Sequence, residues 1–80
     1  GELALRATLA QAFAQRGLHR VWLHTFPDNV AAEALYLKHG FVLEGTERDA
    51  LLSNGIYMSQ RRWSLLEHEW RALVSNEVSS

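Results

Sequence analysis

The stretch from Phe26 to Gly45, FPDNVAAEALYLKHGFVLEG, constrains the fold more tightly than any other part of this chain. Asn29 suits the N-cap of a helix, because its side-chain oxygen can accept a hydrogen bond from a first-turn amide. Gly40 suits the left-handed position just past a helix end. The stretch therefore predicts the end of one strand, a helix of about three turns, a glycine stop and the start of a second strand.

The residue after that glycine adds to the prediction. If Gly40 takes the left-handed position, Phe41 can pack back onto Tyr36 or Leu35, the apolar contact that often closes such a cap. The start of the helix, its stop and the direction in which the chain leaves it are thus all encoded locally.

Hydrophobic periodicity and turn residues divide the chain into elements in the order α-β-α-β-β-α. These are a helix over Glu2–Gln15 that stops at Gly17, a strand over Arg20–Phe26, the capped helix, a strand over Phe41–Glu44, a polar loop with some extended character over Thr46–Ser53, a strand over Ile56–Leu66 after an Asn54-Gly55 turn, and a helix over Glu67–Val74. The expected organisation is one domain over residues 1–74 and a frayed tail over residues 75–80.

The elements predict an α/β (α+β) fold with a three-stranded mixed sheet. The strand Arg20–Phe26 carries apolar bulk on both faces, with Trp22 on one and Leu23 on the other, which predicts a strand covered on both sides. A strand, a helix and a second strand in sequence form a βαβ unit, with a right-handed crossover and parallel strands. The last strand is expected to run antiparallel.

Composition excludes several classes of function. The chain has 80 residues, 48% of them apolar and 21% charged, with a net charge of −1 and no cysteine. It can therefore form neither a disulfide nor a thiolate metal site, and it has no cysteine nucleophile. Interspersed charges argue against nucleic-acid binding, and no apolar run reaches the ~18 residues of a membrane span. A cytoplasmic protein is indicated, and the spacing of its histidines predicts no metal site.

A few side chains could carry chemistry. His24 is either a packed, hydrogen-bonded imidazole or an acid/base group that lines a cleft. Tyr36, in the middle of the capped helix, is either a core aromatic or a general acid, because a phenol is protonated at neutral pH and can donate to a leaving thiolate. Arg61 and Arg62 fit a strand surface, with contact to a phosphate or an acidic partner as the alternative. Periodicity leaves these alternatives open.

A longer motif points to a family. The run N-x-x-A-x-x-L-Y-x-K-x-G-F with a following E-G, which spans Asn29–Gly45, resembles the acetyl-CoA-binding segment of the GNAT superfamily of N-acyltransferases. Gly17–Val21 is similar to the family's G-L-x-R-V sequence, and Asn54-Gly55 with Tyr57 and Leu65-Leu66 is similar to its G-x-Y…L-L last strand.

The resemblance extends from Gly1 to about Trp70 and implies a partial GNAT fold. It is closest to the branch that acetylates ribosomal-protein N-termini and to small-molecule relatives that acetylate amino acids, polyamines and antibiotics. The implied reaction is direct transfer of an acetyl group from acetyl-CoA to a primary amine, without a covalent enzyme intermediate.

The resemblance also implies roles for individual residues. Tyr36 would be the general acid that protonates the departing coenzyme A thiolate. Asn29 would hydrogen-bond the pantetheine or a neighbouring backbone group, and Ala32 would leave room for the cofactor arm. Gly1 matches the last glycine of the family's phosphate loop, so Gly1 and Glu2 would lie at the pyrophosphate, where helix amides suit an anion.

The chain departs from the family at two positions and in length. Ser59 and Trp63 stand where the family has an acidic residue and a methionine, which bears on the substrate class. The family's first strands and most of its phosphate loop have no counterpart ahead of Gly1. The chain is therefore expected to be the C-terminal half of the domain, inactive alone, and to require the missing half or a second copy. The alternatives are a noncatalytic, self-associating interaction module and an unrelated α+β domain.

Overall fold

The computed structural model describes the backbone of residues 1–79 and the side chains of residues 1–76. The predicted element order is confirmed. The elements are α1 (Glu2–Ala10), which continues as a π-helical segment (Gln11–Gln15), β1 (Arg20–Thr25), α2 (Val30–Lys38), β2 (Val42–Ser53), β3 (Ile56–Leu66) and α3 (Glu67–Ser79).

The three strands form one sheet in the order β1-β3-β2. Neighbouring strands are antiparallel, and β3 lies between β1 and β2, the two strands that α2 connects. The chain divides into two compact units. The terminal unit consists of residues 1–21 and 65–80, and the central unit consists of residues 22–64.

Local sequence sets both ends of α2. At its start, Asn29 Oδ1 accepts a hydrogen bond from the Ala32 amide at 3.2 Å. At its end, Gly40 has a φ of +84°, and the Phe41 amide donates to the Tyr36 carbonyl at 2.9 Å. The rings of Phe41 and Tyr36 lie 5.4 Å apart between centroids, and Phe41 is buried. The predicted cap, stop and apolar contact with Tyr36 are confirmed.

The prediction of a loop over Thr46–Ser53 is wrong, because β2 continues through this segment. β2 pairs antiparallel with β3, with Ser53 opposite Ile56 beside the turn. The register shifts between Glu47 and Leu51, and Asp49 there has a φ of +49°. Most side chains of the segment are exposed, so their polarity is compatible with a strand whose backbone hydrogen bonds come from β3.

β1 lies at an edge of the sheet. Trp22 is 52% exposed, so the prediction of a strand covered on both faces is wrong for the described residues. Leu23 and Phe26 are half-buried. The buried residue at the end of β1 is the polar Thr25, which the hydrogen bonds described below explain.

The terminal unit is built on its first helix. Leu9, Ala12 and Phe13 are buried, at the spacing that predicts an amphipathic helix. Phe13 stacks on Trp70 of α3, with 5.4 Å between ring centroids. Gly17, with a φ of +65°, follows the helix end as predicted.

α3 is longer than the sequence predicts. Its first turn is stabilised by the Leu66 amide, which donates to Glu69 Oε1 at 2.9 Å, an arrangement typical of a helix N-terminus. The helix continues to Ser79 rather than ending at Val74. Ser80, the last residue of the predicted tail, lies outside the described residues.

Within the described part of the chain, no helix is both long enough and apolar enough to cross a membrane. The same residues contain no group of three or more histidine, aspartate or glutamate side chains that could hold a metal ion.

Replacing Gly40 by alanine is expected to destabilise the protein by about 1–2 kcal/mol, because left-handed backbone is strained for an L-residue with a Cβ. The measurement is the free energy of unfolding in urea, followed by tryptophan fluorescence. Gly40→Asn is the matched control and should retain more stability, since asparagine tolerates this conformation better than alanine. Equal stability of Gly40→Ala and the wild type would contradict the role of Gly40 as the helix stop.

Candidate functional site

The residues that the sequence assigns to the cofactor arm and to acid catalysis lie together on α2 and its N-cap. Asn29, Ala32 and Tyr36 are spaced three and four positions apart, so they share one side of the helix. The Tyr36 ring is half-buried against Phe41. Its hydroxyl makes no hydrogen bond to any group that the structure describes. A hydroxyl without a partner in the protein is available to donate its proton to a bound substrate.

A chain of buried hydrogen bonds fastens α2 to the sheet. Trp63 Nε1 on β3 donates to Thr25 Oγ1 on β1 at 2.8 Å. That hydroxyl in turn donates to Glu33 Oε2 on α2, also at 2.8 Å. Arg61 Nε lies 3.0 Å from the same Glu33 oxygen, so the carboxylate has a positively charged neighbour. Buried polar groups are costly unless paired, and a single hydroxyl here connects three elements of the central unit.

The opposite face of β1 carries a second group of side chains. Trp22 and His24 alternate with Thr25 along the strand and so point away from the face that meets α2. His24 Nε2 lies 2.7 Å from Glu47 Oε1 on β2. Arg62 Nε on β3 donates to the same oxygen at 3.2 Å, and its guanidinium lies 4.8 Å from the Trp22 ring centroid. We call Trp22, His24, Glu47 and Arg62 the His24 cluster.

The charges of the His24 cluster determine where its protons lie. The hydrogen bond from His24 lowers the pKa of Glu47 below its ordinary value of 4.5, and the Arg62 charge acts in the same direction, against the effect of burial. An ionised carboxylate can only accept hydrogen bonds, so His24 Nε2 carries the shared hydrogen. In the neutral ring the lone pair then lies on Nδ1. Nδ1 makes no hydrogen bond to a described group.

A shallow depression of about 370 Å³ adjoins the cluster. It is lined by Glu44, Gly45, Thr46, Glu47 and Arg62. Of the two carboxylates, Glu47 is paired with Arg62 and His24, and Glu44 Oε2 accepts a hydrogen bond from Ser64 Oγ at 2.8 Å.

Gly1 and Glu2 belong to the terminal unit, whereas Asn29, Ala32 and Tyr36 belong to the central unit. Gly1 is the N-cap of α1. Because glycine has no side chain, the first-turn amides of α1 receive no cap from it. The structure thus places Gly1 and Glu2 next to each other at a helix start and the other predicted site residues together on α2.

Sequence reasoning finds His24 but misses its carboxylate partner. Glu47 lies in the segment predicted to be a loop, and only the pairing of β2 with β3 brings it to the face of the sheet that carries His24. Arg61 and Arg62 lie on β3 as predicted. Each pairs with a carboxylate of the central unit, Glu33 and Glu47 respectively. The alternation of neighbouring residues across a strand was the available signal that these two arginines serve opposite faces.

The family profile of the acetyltransferase (GNAT) family matches residues 1–41, just over half of the chain and all of α2. The chain belongs to this family. Solved structures agree with the partial GNAT fold. A mutant form of the spermidine/spermine N-acetyltransferase SpeG from Vibrio cholerae is 27% identical, with a TM-score of 0.88 over 92% of this chain. A probable acetyltransferase is 33% identical, with a TM-score of 0.80 over 86% of this chain. A dodecameric spermidine N-acetyltransferase from Vibrio cholerae is 28% identical, with a TM-score of 0.82 over 88%.

The chain spans less than half of each of these proteins. It covers 43% of the first, 39% of the second and 41% of the third. The family membership therefore applies to a chain that is less than half as long as these proteins. The expectation of the ribosomal-protein branch is not supported, since two of these three structures are named as spermidine N-acetyltransferases.

Replacing Thr25 by valine preserves the side-chain shape and removes the hydroxyl that serves Trp63 and Glu33. The buried Trp63 indole and the half-buried Glu33 carboxylate then each lose a partner, and the free energy of unfolding should fall by about 1–3 kcal/mol. Urea denaturation measures the change. Thr46→Val on β2, where the side chain is exposed, is the matched control and should change stability by less than about 0.5 kcal/mol. Similar losses in both variants would show that the Thr25 hydroxyl has no special role.

Replacing Glu47 by glutamine should flatten the acid side of the stability profile. The pKa of Glu47 is lower in the folded state than its ordinary 4.5, so the unfolded chain binds the proton more readily. The stabilisation is therefore complete above that ordinary value and is lost as the pH falls through the folded-state pKa. Urea denaturation of both proteins across the acid range tests this, and parallel profiles would contradict it.

Proposed function

We propose that this chain is the part of an N-acetyltransferase that holds acetyl-CoA and supplies the general acid for acetyl transfer to a primary amine. The observation that carries the proposal is the state of Tyr36. Its ring is held against Phe41 near the end of a capped helix, and its hydroxyl makes no hydrogen bond to a described group. Both residues lie within the segment that matches the acetyltransferase family.

The proposed reaction is direct attack. The amine nitrogen forms a bond to the acetyl carbon of the thioester, the carbon–sulfur bond breaks, and the sulfur leaves with the electron pair. Tyr36 donates its hydroxyl proton to the sulfur and regains a proton from water. An ammonium acceptor loses two protons as it becomes an amide, so one proton is released overall. A positioned proton donor contributes about 10²–10⁴-fold to such a step.

Asn29 and Ala32 are proposed to receive the pantetheine arm of acetyl-CoA. Asn29 uses Oδ1 for the helix cap, but its side-chain NH₂ remains able to donate to a carbonyl of the arm. Ala32 lies one turn before Tyr36, and its small side chain leaves room beside the helix. The donor set therefore fits an amide-containing chain that ends at the tyrosine hydroxyl.

Gly1 and Glu2 are proposed to bind the pyrophosphate through the backbone amides at the start of α1. A helix N-terminus suits an anion because its first amides lack partners within the helix.

The proposed acceptor is a small amine of the polyamine class. The similar structures include enzymes named as spermidine N-acetyltransferases. The depression also contains two carboxylates, Glu44 and Glu47, the kind of group that pairs with an ammonium. A protein N-terminus is the other acceptor that the resemblance implies. We further propose that the enzyme works in the cytoplasm and that its site is completed by the preceding half of the domain or by a second copy.

A noncatalytic role in self-association is the second candidate, favoured by Trp22, which is 52% exposed on the edge strand β1. The unpaired edge of a sheet is a natural site for pairing with another chain. Sedimentation equilibrium and a thioester-cleavage assay on the same sample distinguish the candidates. Self-association without thioester cleavage would favour the noncatalytic role.

Replacing Tyr36 by phenylalanine should lower kcat about 100-fold, with little change in KM for acetyl-CoA, because only a proton donor is lost. The measurement is thiol release by the full-length gene product with spermidine as acceptor. Tyr57→Phe, at an exposed position on β3, is the matched control and should retain wild-type kcat. An unchanged kcat in Tyr36→Phe would remove this residue from the mechanism.

A further inference from the structure

We propose that Glu33 is a positioning residue for Tyr36, because its hydrogen bond to Thr25 fixes α2 on the sheet and so sets where the tyrosine hydroxyl lies. This inference rests on the proposed role of Tyr36 as the general acid. A proton donor is effective only within hydrogen-bond reach of the group that it protonates. Misplacing a catalytic group by about 1 Å can slow a reaction about 100-fold, so the contact that holds α2 contributes to the rate.

α2 lacks the buried apolar side chains that usually hold a helix on a sheet. None of its nine residues is buried. Val30 and Leu37 are 73% and 60% exposed, and Leu35 and Tyr36 are only half-buried. An amphipathic helix normally takes its position from an apolar face turned to the core. In α2, other contacts therefore do more to set the position of the helix.

The first of these contacts is polar and is made by Glu33. The Glu33 side chain is 13% exposed, and its Oε2 accepts a hydrogen bond from Thr25 Oγ1 on β1 at 2.8 Å. Arg61 Nε on β3 lies 3.0 Å from the same oxygen, without the geometry of a hydrogen bond. The contact with Arg61 is therefore electrostatic, and the directional bond to Thr25 is the one that fixes the carboxylate.

The second contact is apolar and lies just beyond the end of the helix. Phe41 is 2% exposed, and its ring lies 5.4 Å from the Tyr36 ring between centroids. Tyr36 therefore lies along the chain between the polar contact at Glu33 and the buried ring of Phe41. Two attachment points define the direction of the helix on the sheet, whereas Phe41 alone would leave α2 free to pivot.

Movement at Glu33 is transmitted to Tyr36 by the helix itself. The two residues are three positions apart, so they lie on the same side of α2 about one turn from each other. The backbone hydrogen bonds of a helix make one turn move with the next. Loss of the contact between Glu33 and Thr25 should therefore displace the Tyr36 hydroxyl, although Glu33 itself touches no reacting group in the proposed mechanism.

Amide hydrogen exchange tests the attachment of α2 without any measurement of activity. In the full-length gene product, Glu33→Ala should speed exchange of the α2 amides about 10-fold and change the β3 amides much less. Alanine is the best helix former, so faster exchange cannot result from lower helix propensity. Leu37→Ala, at an exposed position on the same helix, is the matched control and should exchange like the wild type. Unchanged α2 amides, or an equal increase in α2 and β3, would overturn the proposal.

A double-mutant cycle tests whether Glu33 acts through Tyr36. With spermidine as acceptor and acetyl-CoA at saturation, Glu33→Ala should lower kcat about 10-fold. In the Tyr36→Phe background the same substitution should cause no further loss, because the group that it positions is already absent. A merely structural residue would cost the same factor in both backgrounds, and that result would overturn the positioning role.

Two further variants test the hydrogen bond between Glu33 and Thr25. Glu33→Gln keeps an oxygen that can accept from the Thr25 hydroxyl, so it should lose less than about 3-fold in kcat. Thr25→Val removes the same bond from the side of the strand and should match the loss in Glu33→Ala. A loss in Glu33→Gln as large as that in Glu33→Ala would overturn the assignment of this bond as the attachment.

The outcomes distinguish this inference from the proposed function. If the wild type transfers no acetyl group, the proposed function fails and the positioning role fails with it. If the wild type is active and Tyr36→Phe is impaired, while Glu33→Ala matches the wild type in kcat, the acetyltransferase assignment stands and Glu33 is not a positioning residue.

Discussion

The hydroxyl of Thr25 is the interaction on which the arrangement of the central unit depends. It accepts from Trp63 on β3 and donates to Glu33 on α2, and it belongs to β1, so one atom ties three elements together. Thr25 is buried, and a buried polar group without a hydrogen-bond partner is costly. A complete set of hydrogen bonds therefore favours one arrangement of the three elements. The local caps make α2 a helix, but the hydrogen bond to Glu33 decides where the helix sits on the sheet and hence where Tyr36 lies.

β1 separates two environments. On the face towards α2, the hydroxyl of Thr25 and the charge of Arg61 both contact the half-buried carboxylate of Glu33. On the opposite face, His24 meets a carboxylate that is more exposed and is shared with Arg62. An arginine thus pairs with a glutamate on each face of the sheet. The Arg61–Glu33 pair lies against α2, whereas the Arg62–Glu47 pair lies beside the partly exposed imidazole of His24.

The elements that could be predicted are those whose signals are local. The bounds of β3, the stop at Gly17, and the cap, stop and apolar contact of α2 all follow from residues within a few positions of one another. The length of β2 could not be predicted in this way. Its residues from Thr46 onward are polar and mostly exposed, and they form a strand because β3 lies alongside and completes their backbone hydrogen bonds. For the same reason the contact between His24 and Glu47 could not be predicted, because Glu47 lies in the part of β2 that was predicted to be a loop.

By itself, the sequence determined the helix α2, the residues on its Tyr36 side and the membership of a family, since caps, glycine stops and motif spacing act over short distances along the chain. Only the tertiary structure decided which side chains meet across strands. Thr25 and Trp63 are 38 positions apart in the chain, and His24 and Glu47 are 23 apart. Contacts at such separations depend on strand order and register, which arise from the burial and backbone pairing of the whole sheet rather than from any local pattern.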